Sequence, residues 1–171
     1  EGLFTTSKLS RFATQSNPIA MRNAPFMTTL LGDGGIRGVR MVSKDAKVLQ
    51  NSHMGFIDAT HTPQSSSAGI TLSLARNVKK EGRELKTKVI NLITNKTEWK
   101  STKELFDIPL AFPGEFKLTS GKWKPESKIV TVIEEGHRKT TNAAFVKYMI
   151  DHPSGMFDIA SNLIPFSHSN Q

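Results

Sequence analysis

The run of residues from 86 to 133 constrains the fold most. Lys86-Thr87-Lys88-Val89-Ile90 and Lys128-Ile129-Val130-Thr131-Val132-Ile133 are dense in β-branched side chains, and Phe112-Pro113-Gly114 and Ser120-Gly121 place turn chemistry between them. That pattern predicts a small, mostly antiparallel sheet. The remaining apolar material is limited, because only 37% of the 171 residues are hydrophobic and the mean hydropathy is -0.33. One or two small cores fit such a chain, as a single module or as a piece of something larger.

The flanks read differently. In the first 50 residues, Asn17-Pro18 and Ala24-Pro25 remove backbone donors and disfavour helix in the preceding residue, so short elements are expected there, with one helix near 8–14. Residues 67–80 are ambiguous, since Ile70, Leu72 and Leu74 alternate like a strand while Ile70, Leu74 and Val78 fall at helical spacing behind three serines. Helix is the favoured reading. At the end, Met156, Ile159, Ala160 and Leu163 have helical spacing between Pro153 and Pro165, which predicts a short closing amphipathic helix. The class is therefore α+β, with no internal repeat or low-complexity tract.

The formal charge is +8 and the pI about 9.8, with the excess in clusters: Arg37, Arg40, Lys44, Lys47, then Arg76, Lys79, Lys80, Arg83, Lys86, Lys88. A polyanionic partner is the economical explanation, because lysine and arginine that neutralise phosphates displace condensed counterions. A solvated basic face is the bland one. No cysteine is present, which removes disulfides and cysteine-based zinc sites from consideration. No apolar run approaches the ~20 residues that span a bilayer, and no continuous hydrophobic signal core opens the chain, so no membrane partner is expected and the setting is an aqueous cytoplasm.

Autonomous chemistry is not indicated. Two-metal nucleotidyl transfer needs converging carboxylates, yet Asp33, Asp45, Asp58, Asp107, Asp151 and Asp158 stand apart with no Asp-x-Asp cluster. His53 and His61 flank Asp58 but lack cysteine or a helical i, i+4 partner, so metal ligation is disfavoured. Ser65-Ser66-Ser67 has no Gly-x-Ser-x-Gly elbow around it, and Gly32-Asp33-Gly34-Gly35 lacks the Gly-Lys-Ser/Thr ending of a phosphate loop. No catalytic or metal-binding residue is assigned.

The order of short motifs is more specific than any of them alone. Gly32-Asp33-Gly34-Gly35, then Ser52-His53-Met54-Gly55, Thr62-Pro63 and Gly69-Ile70, lie alongside Gly-x-Gly-Gly-Leu, His-Pro-Ser-His-Tyr-Gly-Arg and Thr-Pro-Glu-Gly-x-x-x-Gly-Leu, without a gap from Gln50 to Ile70. Upstream, Phe4, Ser7, Leu9-Ser10, Phe12, Gln15 and Asn17-Pro18 match a further pattern, and downstream Val146-x-Tyr148-Met149 and Leu163-Ile164-Pro165-Phe166 match two more. In this order they resemble the central part of the β subunit of multisubunit DNA-directed RNA polymerase. Between these anchors the middle is placed by order only.

The resemblance implies a fragment of that subunit with a loop-rich fork region, a small mostly antiparallel β domain and a C-terminal helix. It divides the chain into a hybrid-wall and fork-like region (1–80), an external mostly-β domain (81–145) and a returning helix with the chain end (146–171). Residues 32–47 resemble the fork loop at the downstream edge of the transcription bubble, 11–31 the wall beside the RNA:DNA hybrid, and 62–69 the loop facing the growing RNA. Arg11, Gln15, Asn17, Arg22, Arg37, Arg40, Gln64 and Ser67 are the nucleic-acid-binding candidates it implies.

Implied partners are the β′ subunit, the remaining β segments, the template and non-template DNA strands and the nascent RNA. Mg²⁺ is expected in the assembled enzyme, bound by β′ and not by this chain. Departures from the family pattern, at Gln50-Asn51, Phe56 and Gln64-Ser65, point to a divergent polymerase of the large-bacteriophage type, working in the cytoplasm of an infected bacterium or carried in the virion. The rifamycin-pocket positions read Thr14, Asn23, Ala24, Met27 and Thr29, which implies insensitivity to rifampicin. Either the chain is part of a longer subunit or the subunit is naturally divided. A stand-alone basic nucleic-acid-binding or regulatory protein with a β-like fragment is the alternative.

Overall fold

The computed structural model describes residues 16–165 apart from 33, 49, 64 and 65. The helix expected near 8–14 lies outside these residues. The chain enters through α1 (Pro18–Asn23), whose start follows from its sequence: the Asn17 carboxamide oxygen accepts the Ile19 N–H at 3.0 Å, and Pro18 fills a first-turn position where no donor is needed. The short strands β1 (Met27–Thr29) and β2 (Ile57–Asp58) are separated by 3₁₀ turns at Val39–Met41, Asp45–Lys47 and Asn51–His53.

The favoured helix over 67–80 is not formed. Residues 66–70 are turns, followed by β3 (Thr71–Leu74) and β4 (Val78–Glu81). Gly69 sits at φ +71, a left-handed conformation that stops a helix, and its N–H is taken by the Thr62 hydroxyl at 3.0 Å. β3 then gains ladders on both edges, pairing antiparallel with β1 (Met27 opposite Ser73) and with β2 (Ile57 opposite Leu74). Two ladders outweigh a weak helical preference, and the alternation of Ile70, Leu72 and Leu74 was the truer signal.

The larger sheet has seven strands. β5 (Glu84–Asn91) is its longest member: β6 (Lys96–Ser101) runs along one edge, while β4 and, further on, β12 (Tyr148–Ile150) pair with successive halves of the other. β7 (Leu110–Ala111) is parallel to β12, then antiparallel to β10 (Ile129–Glu134), which forms a hairpin with β11 (His137–Asn142). Between β6 and β7, α2 (Thr102–Leu105) starts from a reciprocal cap, with Ser101 N–H on the Glu104 carboxylate at 2.8 Å and Glu104 N–H on the Ser101 hydroxyl at 3.5 Å. β8 (Phe116–Thr119) and β9 (Lys122–Pro125) make a separate hairpin whose turn residues Ser120 and Gly121 both have positive φ, at +52° and +74°.

Successive residues of the central strands serve opposite faces, as a pleat requires. Ile90, Ala111 and Met149 join Val130, Val132, Phe116, Ala143 and Val146 in one buried cluster; Val89, Leu110 and Ile150 join Phe56, Ala75, Val78 and Leu105 in the other. The sheet is therefore covered on both sides, and Phe56 and Ala75 come from the loop-rich half. Phe56, which replaces a basic residue of the family pattern, is 4% exposed and belongs to this core.

The closing helix also takes another form. Two 3₁₀ turns, Pro153–Met156 and Ser161–Leu163, are separated by Phe157 in an extended conformation. The Phe157 carbonyl accepts the Arg76 N–H and the Asp158 N–H donates to the Asp58 carboxylate, both at 2.8 Å. These bonds take the backbone groups a continuous helix would use. The whole remains α+β: mostly antiparallel sheets with a few short helices.

Candidate nucleic-acid interface

The fork-like segment is shaped by its glycines. Ile36 N–H returns to the Leu30 carbonyl at 2.9 Å, closing a tight loop in which a side chain at Gly35 would stand 2.5 Å from the Leu30 oxygen. Beyond it, Arg37 and Arg40 are both exposed, Arg40 within the 3₁₀ turn Val39–Met41, and neither forms an ion pair with a described carboxylate. At its far end the Lys47 carbonyl lies against Gly69, so closely that a Cβ there would overlap it. Gly69 is thus where the fork-like segment and the 62–69 turn touch. Lining residues Thr28, Leu30, Ala46, Val48, His53, Gly69 and Ile70 enclose a cavity of about 140 Å³ behind that contact.

The other nominated residues are distributed. Arg11, Gln15 and Gln64 lie outside the described residues. Asn17 spends its carboxamide oxygen on capping α1, and Arg22 is exposed in the last turn of that helix. Ser67 is half-buried and its carbonyl accepts the N–H groups of Ile70 and Thr71 at 3.0 and 3.2 Å.

Sequence reading missed a buried polar node beneath these surfaces. Asp58 and Asp158, 100 residues apart and both without solvent exposure, converge with Asn23, His61, Thr60 and Ser161. All four carboxylate oxygens are committed. One Asp58 oxygen accepts the Thr60 N–H at 2.7 Å and its hydroxyl at 2.6 Å, and the other accepts the Asp158 N–H. One Asp158 oxygen accepts the Ser161 N–H at 2.6 Å, and the other accepts Asn23 Nδ2 at 2.8 Å and His61 Nδ1 at 2.5 Å. Burial alone would raise the Asp158 carboxyl, but the donors of Ser161, His61 and Asn23 outweigh it and hold the pKa at about 2. Such saturated carboxylates suit a structural clasp rather than a cation. The available signal was Asp58 and Asp158 each embedded among apolar residues, Phe56-Ile57 and Met156-Phe157-Ile159.

The two histidines separate. His61 joins the node, whereas His53 accepts the Gln50 N–H at 3.4 Å within its own turn, and burial lowers its pKa. Among the described residues no helix is long and apolar enough to cross a membrane.

No family model matches the chain. Curated proteins do: the "DNA-directed RNA polymerase subunit beta" of Borreliella afzelii (strain PKo) is 29% identical across 98% of this chain. The chain is similar to RNA polymerase β subunits along nearly its whole length. Proteins of the same name from Trichodesmium erythraeum (strain IMS101) and Chlorokybus atmophyticus are 28% and 27% identical, each across 95% of the chain. The chain spans 15% of the length of each of these three relatives. The similarity includes the central sheet as well as the motif-bearing half, so the β-subunit likeness extends through the middle that motif order alone had bridged.

Proposed function

We propose that this chain is a non-catalytic part of the β subunit of a DNA-directed RNA polymerase, lining the RNA:DNA hybrid cavity and the downstream edge of the transcription bubble. The observation that carries this reading is similarity to proteins of that name, in one colinear order, over 95–98% of the chain. Geometry supports the finer assignment through the contact of Gly69 with Lys47, which holds the RNA-facing turn beside the fork-like segment, and through the exposed guanidinium groups of Arg37 and Arg40. Phosphates of separating strands give those cations a partner that no described carboxylate supplies.

In this reading the chain's work is positional. β′ and the remaining β segments complete the cleft, template and non-template DNA and the nascent RNA pass through it, and Mg²⁺ is bound by β′, stabilising the attacking and leaving oxygens. Arg11, Gln15, Asn17, Arg22, Gln64 and Ser67 remain hybrid-side candidates. The departures at Phe56 and Gln64-Ser65 fit a large-bacteriophage enzyme acting in the host cytoplasm. Purification from the native source tests the assignment: polymerase-sized partners, one with an Asp-Phe-Asp-Gly-Asp loop, are expected to accompany the chain. A lone protein that binds DNA without them would overturn it in favour of a stand-alone binder.

The same reading carries a pharmacological expectation. Met27 stands at the basic anchor of the rifamycin strip, and Asn23 is 4% exposed with its amide committed to Asp158. The assembled polymerase should continue transcribing at rifampicin concentrations that stop a bacterial enzyme, measured by transcript yield.

A further inference from the structure

A second surface lies where α1, the β3–β4 turn and the closing segment meet. Arg22, Arg76, Ile159, Asn162 and Leu163 line a cleft of about 510 Å³, within the range of roughly 300–1,000 Å³ that ligand-binding clefts occupy. Both arginines are exposed, and neither forms an ion pair with a described carboxylate. The apolar part of the lining is aliphatic: Leu163 is 59% exposed and Ile159 half-buried.

The backbone of the cleft is anchored to the buried node. Arg22 precedes Asn23, whose amide donates to Asp158 at 2.8 Å, and the Arg76 N–H donates to the Phe157 carbonyl at 2.8 Å. Asn162 Nδ2 donates to the carbonyls of Ser154, Phe157 and Asp158 at 2.9, 3.1 and 2.8 Å, fixing the closing turn. Three backbone segments from distant parts of the chain are therefore tied to one clasp, so the ordering cost of binding falls mainly on the arginine side chains.

We infer that this cleft docks an acidic segment of a partner polypeptide carrying aliphatic side chains. Planar guanidinium groups grip carboxylates in pairs of hydrogen bonds, and the lining leucine and isoleucine gain by losing water only if the occupant brings apolar atoms. A nucleic-acid strand meets neither condition well. Grooves for single strands use runs of cations and aromatic platforms, whereas among the described residues this one has two cations and no aromatic lining residue. The inference rests on the polymerase reading: relatives are several times longer than this chain, which spans 15% of them, so a β-like particle has ample further polypeptide to lay on this face.

The test uses the assembled particle with Leu163 replaced by the photo-cross-linker p-benzoylphenylalanine, followed by irradiation and mapping by mass spectrometry. The expected product joins position 163 to a polypeptide segment in which aspartate or glutamate neighbours leucine, isoleucine, valine or methionine. Adding Arg22→Glu and Arg76→Glu should lower its yield by about tenfold or more, as loss of charged hydrogen bonds dictates, and arginine-to-lysine changes should lower it less. Cross-links only to nucleic acid, only to a basic segment, or to nothing in a particle with polymerase-sized partners would overturn the cleft assignment alone. A chain that purifies without such partners overturns both readings.

Discussion

Gly69 shows how one residue can couple two segments. Its φ of +71° is costly for any side chain, and the Lys47 carbonyl occupies the space a Cβ would need. Gly69→Ala should therefore destabilise by about 2–3 kcal/mol, combining left-handed strain with a displaced fork-like segment; an unchanged urea midpoint would contradict the contact. Asp158 makes a pH prediction with a definite sign. Its folded pKa, about 2, lies below the ordinary aspartate value of 3.8, so its stabilisation is present above that ordinary value and is lost as pH falls toward 2. Asp158→Asn should flatten the acid limb of stability between pH 5 and 2 by on the order of 1–2 kcal/mol, read by denaturation at a series of pH values. These residues were hard to read in advance for a physical reason. Asn17-Pro18, expected only to interrupt regular structure, caps α1 through a contact two residues long, whereas the meeting of Asp58 with Asp158 depends on a fold that brings together residues 100 apart.

At the scale of elements, what is local was legible and what is tertiary was not. β-branched runs and turn residues marked β5, β10 and the β8–β9 hairpin, because those preferences act within a few residues. Residues 67–80 carry apolar spacings that fit two structures, and residues 153–163 a helical one, yet distant partners decided both: β1 and β2 for the first, Asp58 and Arg76 for the second. β12 is the extreme case, a three-residue strand from late in the chain lying between β7 and β5. Its short length leaves its stability to packing, so Met149→Ala, at 2% exposure, should cost about 2–4 kcal/mol. Ile129→Ala, at 64% exposure on β10, should stay within about 0.5 kcal/mol. Equal losses in chemical denaturation would mean that β12 is not a central strand.

Across the whole molecule, the basic charge falls into two populations that sequence clustering did not separate. On the large sheet, Lys86 meets Glu81 at 3.0 Å, Lys88 meets Asp151 at 2.9 Å, and Lys79 lies 4.5 Å from the Trp99 ring while also reaching Glu81 at 3.7 Å. Exposed pairs of this kind contribute little stability, but they leave less free charge for an external polyanion. Arg37 and Arg40 have no such partner among the described carboxylates, and they stand on the fork-like segment rather than on the sheet, where Lys80 and Arg83 are the cations of the second cluster left unpaired beside Arg76. Arg37→Ala with Arg40→Ala should accordingly reduce the slope of log binding constant against log salt by about 2, one unit per phosphate contact, and shorten the open-complex lifetime without disturbing assembly. Lys86→Ala with Lys88→Ala removes the same formal charge from side chains already paired with Glu81 and Asp151 and should change the slope by much less. If the two pairs act alike, net charge alone governs binding and the fork-like segment has no special place at the bubble edge. If only the arginine pair acts, position rather than total charge carries the interaction.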